Sequence, residues 1–348
     1  MKIVVLCGGI SSERDVSISS GTQVASALKS LGHQVVLIDA YFGYQGEYSN
    51  PAEIFTKPYS AVSARVGESA PDLEQVKKSR RQKNNGDIGD NLIEVCRAAD
   101  IVFMAMHGET GEDGRLQALF DVMHIRYTGT GYLSSAVSMN KTVSKSLLTH
   151  AGIPVPKGIT VAKGEAPVPN VGFPCVVKPC SGGSSVGTSI VLAESEYRDA
   201  LALAFRYEDH VIVEQYINGR ELTVGVLDGK AMPVVEIIPK CGFYDYKNKY
   251  QAGMTEEICP AAISTALTER VQRMAEKAAK ALMTETYCRV DLLADGDDLY
   301  CLESNSLPGM TPTSLIPQMA AAMGMDFPAL CQKILDLSMK KYEAGEEK

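Results

Sequence analysis

A chain of 348 residues, 45% hydrophobic and 22% charged, is too apolar to be disordered and longer than one core usually supports, so two or three domains are expected. Its formal net charge of -8 argues against broad, sequence-independent nucleic-acid binding, which runs on clustered Lys and Arg. It leaves room for a small anionic ligand in a local cationic pocket. The nine cysteines include no CxxC pair and mostly sit in apolar runs, which reads as reduced, buried thiols of a cytoplasmic protein. No stretch approaches the roughly 18 apolar residues of a membrane span. The apolar N-terminal run is too short for a signal segment and ends in Gly8-Gly9, so it reads as a first strand.

In chain order, Lys2–Cys7 is that strand. Ser17–Leu31 carries Val24, Leu28 and Leu31 at helical spacing, Gly32 stops it, and Gln34–Ile38 is a second strand. This βαβ unit implies a parallel sheet with a right-handed crossover. Residues 67–90 are polar and include Lys77, Lys78, Arg80, Arg81 and Lys83; they read as a solvated helix face or loose insertion rather than a nucleic-acid patch. Ile101–Met106 is a buried-type strand, Leu116–Met123 a helix, and Ser134–Gly152 one further helix. Gly152-Ile153-Pro154-Val155-Pro156 then breaks the chain and is the best linker candidate.

Beyond it, Phe173–Lys178 and Thr188–Leu192 flank a Gly/Ser loop. Val211–Gln215 and Leu222–Leu227 flank Asn218-Gly219, which reads as a hairpin signal, and Asp228-Gly229 marks another turn. Thr268–Met283 is an amphipathic helix. Arg289–Leu293 and Leu299–Glu303 flank the turn residues Asp295-Gly296-Asp297-Asp298, and Phe327–Tyr342 is helical. The expected fold class is an α/β N-terminal domain with a parallel, Rossmann-like sheet, followed by an α+β region of antiparallel hairpins.

Four constellations could carry chemistry. Between two strands, Lys178-Pro179-Cys180-Ser181-Gly182-Gly183-Ser184-Ser185-Val186-Gly187 offers backbone N–H groups and hydroxyls to an anion, or is a plain flexible hairpin. No Lys follows its last glycine, so it is not a P-loop. In the second, Glu303 and Asn305 share a strand face, and a hairpin turning at 295–298 brings Asp291 within about one residue of facing Glu303. Opposed carboxylates need a cation between them, and an oxygen-only ligand set suits Mg²⁺; the alternative is an exposed acidic hairpin. In the third, Met106-His107-Gly108-Glu109-Thr110-Gly111-Glu112-Asp113-Gly114 follows a parallel strand, so it should line one crevice with residues 8–15. There Glu13 could bind an ammonium group or cap the next helix. The fourth, Gly242 to Tyr250, is a long irregular stretch of lid type. Its interleaved Tyr and Lys would also fit RNA, but no wider basic patch supports that. GxSxG is absent, so acyl-enzyme hydrolysis is unsupported.

Taken together and in order, these motifs resemble the D-alanine–D-alanine ligases of the ATP-grasp superfamily over nearly the whole chain. The resemblance runs through Gly8-Gly9 with Ser12-Glu13, His107-Gly108 with Gly111-Glu112-Asp113-Gly114, Tyr127-Thr128-Gly129, and Ser138-Met139-Asn140-Lys141. It continues through Lys178 with Gly183 to Gly187, Glu214, Glu221, Tyr244-Asp245-Tyr246, Lys249-Tyr250, Arg289-Val290-Asp291, Glu303 with Asn305, Pro308 to Thr311, and Ser314-Leu315.

The resemblance implies residues 1–133 as an α/β N-terminal domain. It implies 134–216 and 217–348 as two ATP-grasp subdomains around ATP, with a lid loop at 240–258. It implies that Lys141, Lys178, Ser185, Glu214, Ile217, Glu221 and Lys249 bind ATP. Asp291, Glu303 and Asn305 would hold two Mg²⁺ ions, with Mn²⁺ as a substitute. Glu13, Ser184, Tyr250 and Arg289 would be catalytic, and His107, Gly309, Ser314 and Leu315 would bind substrate. One D-alanine carboxylate would attack the γ-phosphate, and a second D-alanine amine would attack the resulting D-alanyl phosphate. The dipeptide would serve peptidoglycan precursor synthesis in the cytoplasm, made by a homodimer with no nucleic-acid or membrane partner. In this family, His in place of Tyr250 accompanies D-lactate use and Arg in place of Leu315 accompanies D-serine use, so D-alanine is implied at both subsites. Departures at Ser306-Leu307 and Pro312-Thr313 motivate the alternative, a paralogous ligase with another second amino acid such as D-serine.

Overall fold

The computed structural model describes residues 1–57, 67, 71–80, 85–165, 167, 170–240, 253–311 and 313–346. Lys249, Tyr250 and Pro312 lie outside the described residues.

The first unit contains β1 (Lys2–Cys7), α1 (Arg14–Ser30), β2 (Gln34–Asp39), α2 (Leu73–Ser79), α3 (Leu92–Arg97), β3 (Ile101–Met104), α4 (Glu109–Glu112) and α5 (Arg115–Val122). The sheet order is β2-β1-β3, all parallel, with Val4 facing Val36 on one side and Val102 on the other. Ile3, Val4, Val5 and Leu6 have no exposed surface, because both faces of a central parallel strand are covered. The basic run falls partly on α2, which buries none of its residues, as a solvated helix should. The third strand is two residues shorter than its apolar run. Ala105 N–H still donates to Leu6 O at 2.9 Å, and the chain then turns away toward His107. At Gly8 a side chain would be strained, since φ is +69° and a Cβ would lie 2.4 Å from Asp39 Oδ2 and force that carboxylate to move.

The middle segment contains α6 (Tyr132–Met139), α7 (Lys141–His150), β4 (Gly158–Ala162), β5 (Cys175–Pro179), β6 (Ser189–Val191), α8 (Glu194–Ala204) and β7 (His210–Gln215). The expected single helix over 134–152 is two helices. Asn140 adopts φ -88° and ψ 105°, which ends α6, and its side chain accepts from Val143 N–H to cap α7. The strands form an antiparallel sheet ordered β4-β7-β5-β6.

The last segment contains β8 (Arg220–Leu227), β9 (Lys230–Pro239), β10 (Thr255–Ile258), α9 (Thr265–Ala281), β11 (Tyr287–Asp295), β12 (Asp298–Asn305), α10 (Leu315–Ala322) and α11 (Phe327–Glu346). Its sheet is ordered β10-β9-β8-β11-β12. The expected hairpin at Asn218-Gly219 is therefore a crossover between two sheets. Gly219 is needed there because a Cβ would lie 2.6 Å from Ala294 O, a close backbone approach rather than a tight turn. Asp228-Gly229 is a true hairpin turn, with φ of 56° and 72°. On α9, Val271, Ala275, Ala278 and Ala279 face the sheet at helical spacing.

Packing ties the segments together. Leu148 of α7 and Ile153 join the core built by Leu222, Val290 and Leu292 of the five-stranded sheet. Leu330, Cys331 and Ile334 of α11 share a core with Val24 and Leu28 of α1. All eight described cysteines are free and seven are buried. Among the described residues, no helix is long and apolar enough to cross a membrane.

Candidate functional site

Two adjoining clefts lie where the three sheets converge. The larger, with about 960 Å³ of empty space, is lined by residues from all three segments, including Glu13, His107, Ser184, Arg289, Gly309 and Leu315. The smaller is lined by Lys178, Ser185, Glu221, Asp291 and others. Lys141, Gly182, Ser184 and Glu303 belong to both walls.

Glu13 occupies the N-cap position of α1, yet its side chain makes no capping bond. Instead Ser184 Oγ donates to Glu13 Oε1 at 2.5 Å, which joins the first segment to the Gly/Ser loop. Ser184 and Ser185 both adopt left-handed backbone, with φ of 48° and 57°. Non-glycine residues rarely adopt that conformation, and it clusters at ligand-binding sites. Gly183 has no Cβ to meet Glu13 Oε2, which would lie 2.9 Å away.

His107 is held on both ring nitrogens. Nδ1 lies 2.9 Å from Leu307 O and Nε2 lies 2.8 Å from Ser20 Oγ. A carbonyl accepts only, so Nδ1 carries the proton and Nε2 accepts from Ser20. Ser20 Oγ also accepts from Met310 N–H at 3.2 Å. Burial is the main reason the His107 pKa is lowered, which keeps the ring neutral. His107 thus fixes the 307–310 segment against α1. Glu112 reinforces this, because Gly108 N–H donates to one carboxylate oxygen at 2.8 Å and Leu307 N–H to the other at 3.0 Å. Burial first, and the charge of Glu13 second, push the Glu112 carboxyl up to about 7.

On the β11–β12 hairpin, Asp291 faces Glu303 and Arg289 faces Asn305. Arg289 makes a bidentate pair with Asp291, Nε to Oδ1 at 2.9 Å and Nη2 to Oδ2 at 2.8 Å. Thr223 Oγ1 donates to Asp291 Oδ1 at 2.6 Å, and Asn305 Nδ2 to Oδ2 at 3.0 Å. Glu303 pairs with Lys141 at 3.1 Å. Two facing carboxylates thus each hold a cationic side chain. The oxygen donors Asp291, Glu303 and the Asn305 amide suit a hard divalent cation; Asp291 and Glu303 line the smaller cleft, and Glu303 and Asn305 the larger. The expected metal set is brought together by the hairpin.

On the other cleft wall, Lys178 and Ser185 face the opening with Glu221. Glu214 is turned inward, 2% exposed, and pairs Oε1 with Lys178 and Oε2 with Lys145 at 2.7 Å. Burial opposes its charge, but the two ammonium groups outweigh that and lower its pKa. Ile217 is buried in the crossover between the sheets. Neither Glu214 nor Ile217 lines either cleft. Ser314 stands at the N-cap position of α10 without a side-chain capping bond; its Oγ instead accepts from Thr311 N–H at 2.9 Å. Gly309 packs beside it, and Leu315 presents an apolar wall to the larger cleft.

Two residues that support the site carry no role in the sequence reading, Lys145 and Glu112. Lys145 stands four after Lys141 on one helix face, and that spacing was the available signal. Glu112 sits inside the quoted Gly-rich segment, but its partner Leu307 is remote in sequence.

Family models described as D-ala D-ala ligase N-terminus and D-ala D-ala ligase C-terminus match residues 2–130 and 147–336. The chain belongs to the D-alanine–D-alanine ligase family. Curated relatives named D-alanine–D-alanine ligase include that of Pediococcus pentosaceus, 39% identical over 99% of both chains. That of Geobacter sulfurreducens is 39% identical over 99% of this chain and 97% of its own. Among solved structures, the D-alanine–D-alanine ligase of Bacillus anthracis complexed with ATP superposes with a TM-score of 0.76, at 30% identity and 99% coverage of both chains. The expected family, and the ATP-grasp arrangement of a parallel N-terminal sheet followed by antiparallel sheets, are both borne out.

Proposed function

We propose that the chain joins two D-alanine molecules into D-alanyl-D-alanine, with ATP converted to ADP and phosphate. The observation that carries this reading is the wall shared by the two clefts. Lys141, Glu303 and Ser184 line both, so a carboxylate in the larger cleft and a terminal phosphate in the smaller one meet at the same residues.

The first D-alanine sits with its ammonium toward Glu13, which Ser184 orients. Its carboxylate oxygen attacks the γ-phosphorus, the bond to ADP breaks, and a D-alanyl phosphate forms. The second amine then attacks the acyl carbon, the C–O bond breaks, and phosphate leaves with release of a proton. Lys141 and Lys178 neutralise phosphate charge, and Arg289 stabilises the oxyanion of the tetrahedral intermediate. Asp291, Glu303 and Asn305 are the residues we assign to two Mg²⁺ ions, with Mn²⁺ as a substitute. Bound there, the metal offsets charge on the transferring phosphoryl group. Lys249 and Tyr250 carry their expected roles in nucleotide binding and lid closure, from outside the described residues.

His107 positions rather than transfers protons, since both of its nitrogens are engaged. Gly309 and Ser314 receive the second amino acid, and Leu315 favours a methyl side chain. The relatives' names favour D-alanine over D-serine as second substrate. An apolar wall rejects an added hydroxyl by only about 10²-fold. The dipeptide serves peptidoglycan precursor synthesis in the cytoplasm, and we assign a homodimer to the family's assembly.

A substrate panel scored by phosphate release tests the reading. D-alanine alone should support turnover, and D-alanine with D-serine should add a mixed dipeptide at roughly 10²-fold lower efficiency. Turnover that requires some other amino acid would replace it.

A further inference from the structure

We propose that Lys145 is a positioning residue for the nucleotide, serving as the permanent counter-ion of Glu214 so that Lys178 is free to turn to phosphate. This rests on the ligase reading above. Lys145 lies on α7, one turn beyond Lys141, and its Nζ is 2.7 Å from Glu214 Oε2. Lys178 pairs with the other oxygen of the same carboxylate. The Lys145 side chain is 7% exposed and the Glu214 side chain 2%. Two cations therefore share one buried carboxylate.

The two lysines are not equivalent. Lys178 lines the nucleotide-side cleft beside Ser185 and Glu221, whereas Lys145 lines neither cleft. Only Lys178 can exchange Glu214 for a phosphate oxygen. When it does, Glu214 would be left as a buried carboxylate without water, a state that is strongly disfavoured unless a partner remains. Lys145 is that partner. Without Lys145, Glu214 would have Lys178 as its sole counter-ion, and binding ATP would mean stripping a buried charge. The backbone supports this placement. Asn140 caps α7, Leu148 anchors it with no exposed surface, and Lys141 on the same face reaches Glu303 and Gly182 O. One helix thus sends a lysine to each of the two sheets that flank the cleft.

The test compares Lys145→Met, Lys145→Arg, Glu214→Gln and the double variant Lys145→Met/Glu214→Gln, with the full chain in each case. ATP affinity is read by calorimetry without D-alanine, and the KM values for ATP and D-alanine and kcat by phosphate release. Lys145→Met should weaken ATP by roughly ten- to a hundredfold, the scale of leaving one buried polar group without its partner. It should leave kcat and the D-alanine KM within about threefold, and Lys145→Arg should restore ATP affinity. In the Glu214→Gln background, Lys145→Met should bring no further loss, a comparison that also holds if the single methionine variant fails to fold. An unchanged ATP affinity, a loss confined to kcat, or an equal loss in the Glu214→Gln background would overturn the proposal. Failure of the unsubstituted chain to make dipeptide would instead count against the ligase reading, while the calorimetry would still judge Lys145.

Discussion

Asp291 accepts four hydrogen bonds, from Thr223, Asn305 and twice from Arg289, and it stands opposite Glu303 across the hairpin. In Asp291→Asn one charge is lost and one acceptor oxygen becomes a donor amide, at a position whose strand pairing the substitution leaves in place. Turnover at saturating ATP should fall by about two orders of magnitude, with the circular dichroism spectrum at 25 °C unchanged. A kcat equal to that of the unsubstituted chain would remove Asp291 from the metal set. Counting from the turn residues comes only within one residue of this opposition: strict pairing sets Leu302 against Asp291, and a register shift between Asp291 and Leu292 brings Glu303 into line. That Arg289 and Lys141 each neutralise one of those carboxylates could not be counted. Lys141 lies on a helix remote in sequence from Glu303, and its reach depends on packing. Glu112 likewise shows its character only in three dimensions. Its carboxyl, pushed up to about 7 from an ordinary 4.5, keeps its proton in the folded chain where the unfolded chain has lost it. Folding therefore takes up a proton between those pH values, and the associated stability, present at low pH, is lost as pH rises toward 7 and above. Urea unfolding at pH 5 and pH 8 should show a fall between the two that shrinks by on the order of 2 kcal/mol in Glu112→Gln. An equal fall in both proteins would contradict the assignment.

The break between α6 and α7 is the element-scale feature on which the site depends. Apolar spacing runs through Val137, Leu147 and Leu148 without a proline or glycine, so the pattern reads as one helix. Asn140 was the local clue, since a short polar side chain competes for backbone N–H groups and favours a cap over a helix interior. The break places Lys141 at the first position of α7, against Gly182 O and Glu303. Asn140→Ala should cost about 1 kcal/mol of stability, the usual worth of an N-cap, read as a lowered urea midpoint. It should also raise the KM for ATP more than that for D-alanine, because Lys141 and Lys145 move with the start of the helix. The Asn218-Gly219 crossover makes the opposite point. Its local chemistry suits a hairpin, but the two strands it joins find partners in different sheets, and strand pairing is decided by long-range packing.

At the scale of the whole molecule, residues from the first, middle and last thirds of the chain meet around two adjoining clefts that share a wall. The parallel sheet contributes Glu13 and His107, the middle sheet Lys178 and Ser184, and the last sheet Arg289, Asp291 and Glu303. Most of these residues could be named from motif order. What motif order does not contain is the shared wall, which exists because α11 packs back on α1 and α7 packs on the five-stranded sheet. That wall lets an acyl phosphate form and react in the same enclosure, shielded from water. Isotope transfer tests this directly. With D-alanine labelled by ¹⁸O in both carboxylate oxygens, attack of the carboxylate on ATP should deliver one ¹⁸O to the inorganic phosphate and leave one in the new peptide carbonyl. Unlabelled phosphate alongside formed dipeptide, or phosphate released with no dipeptide at all, would contradict the account.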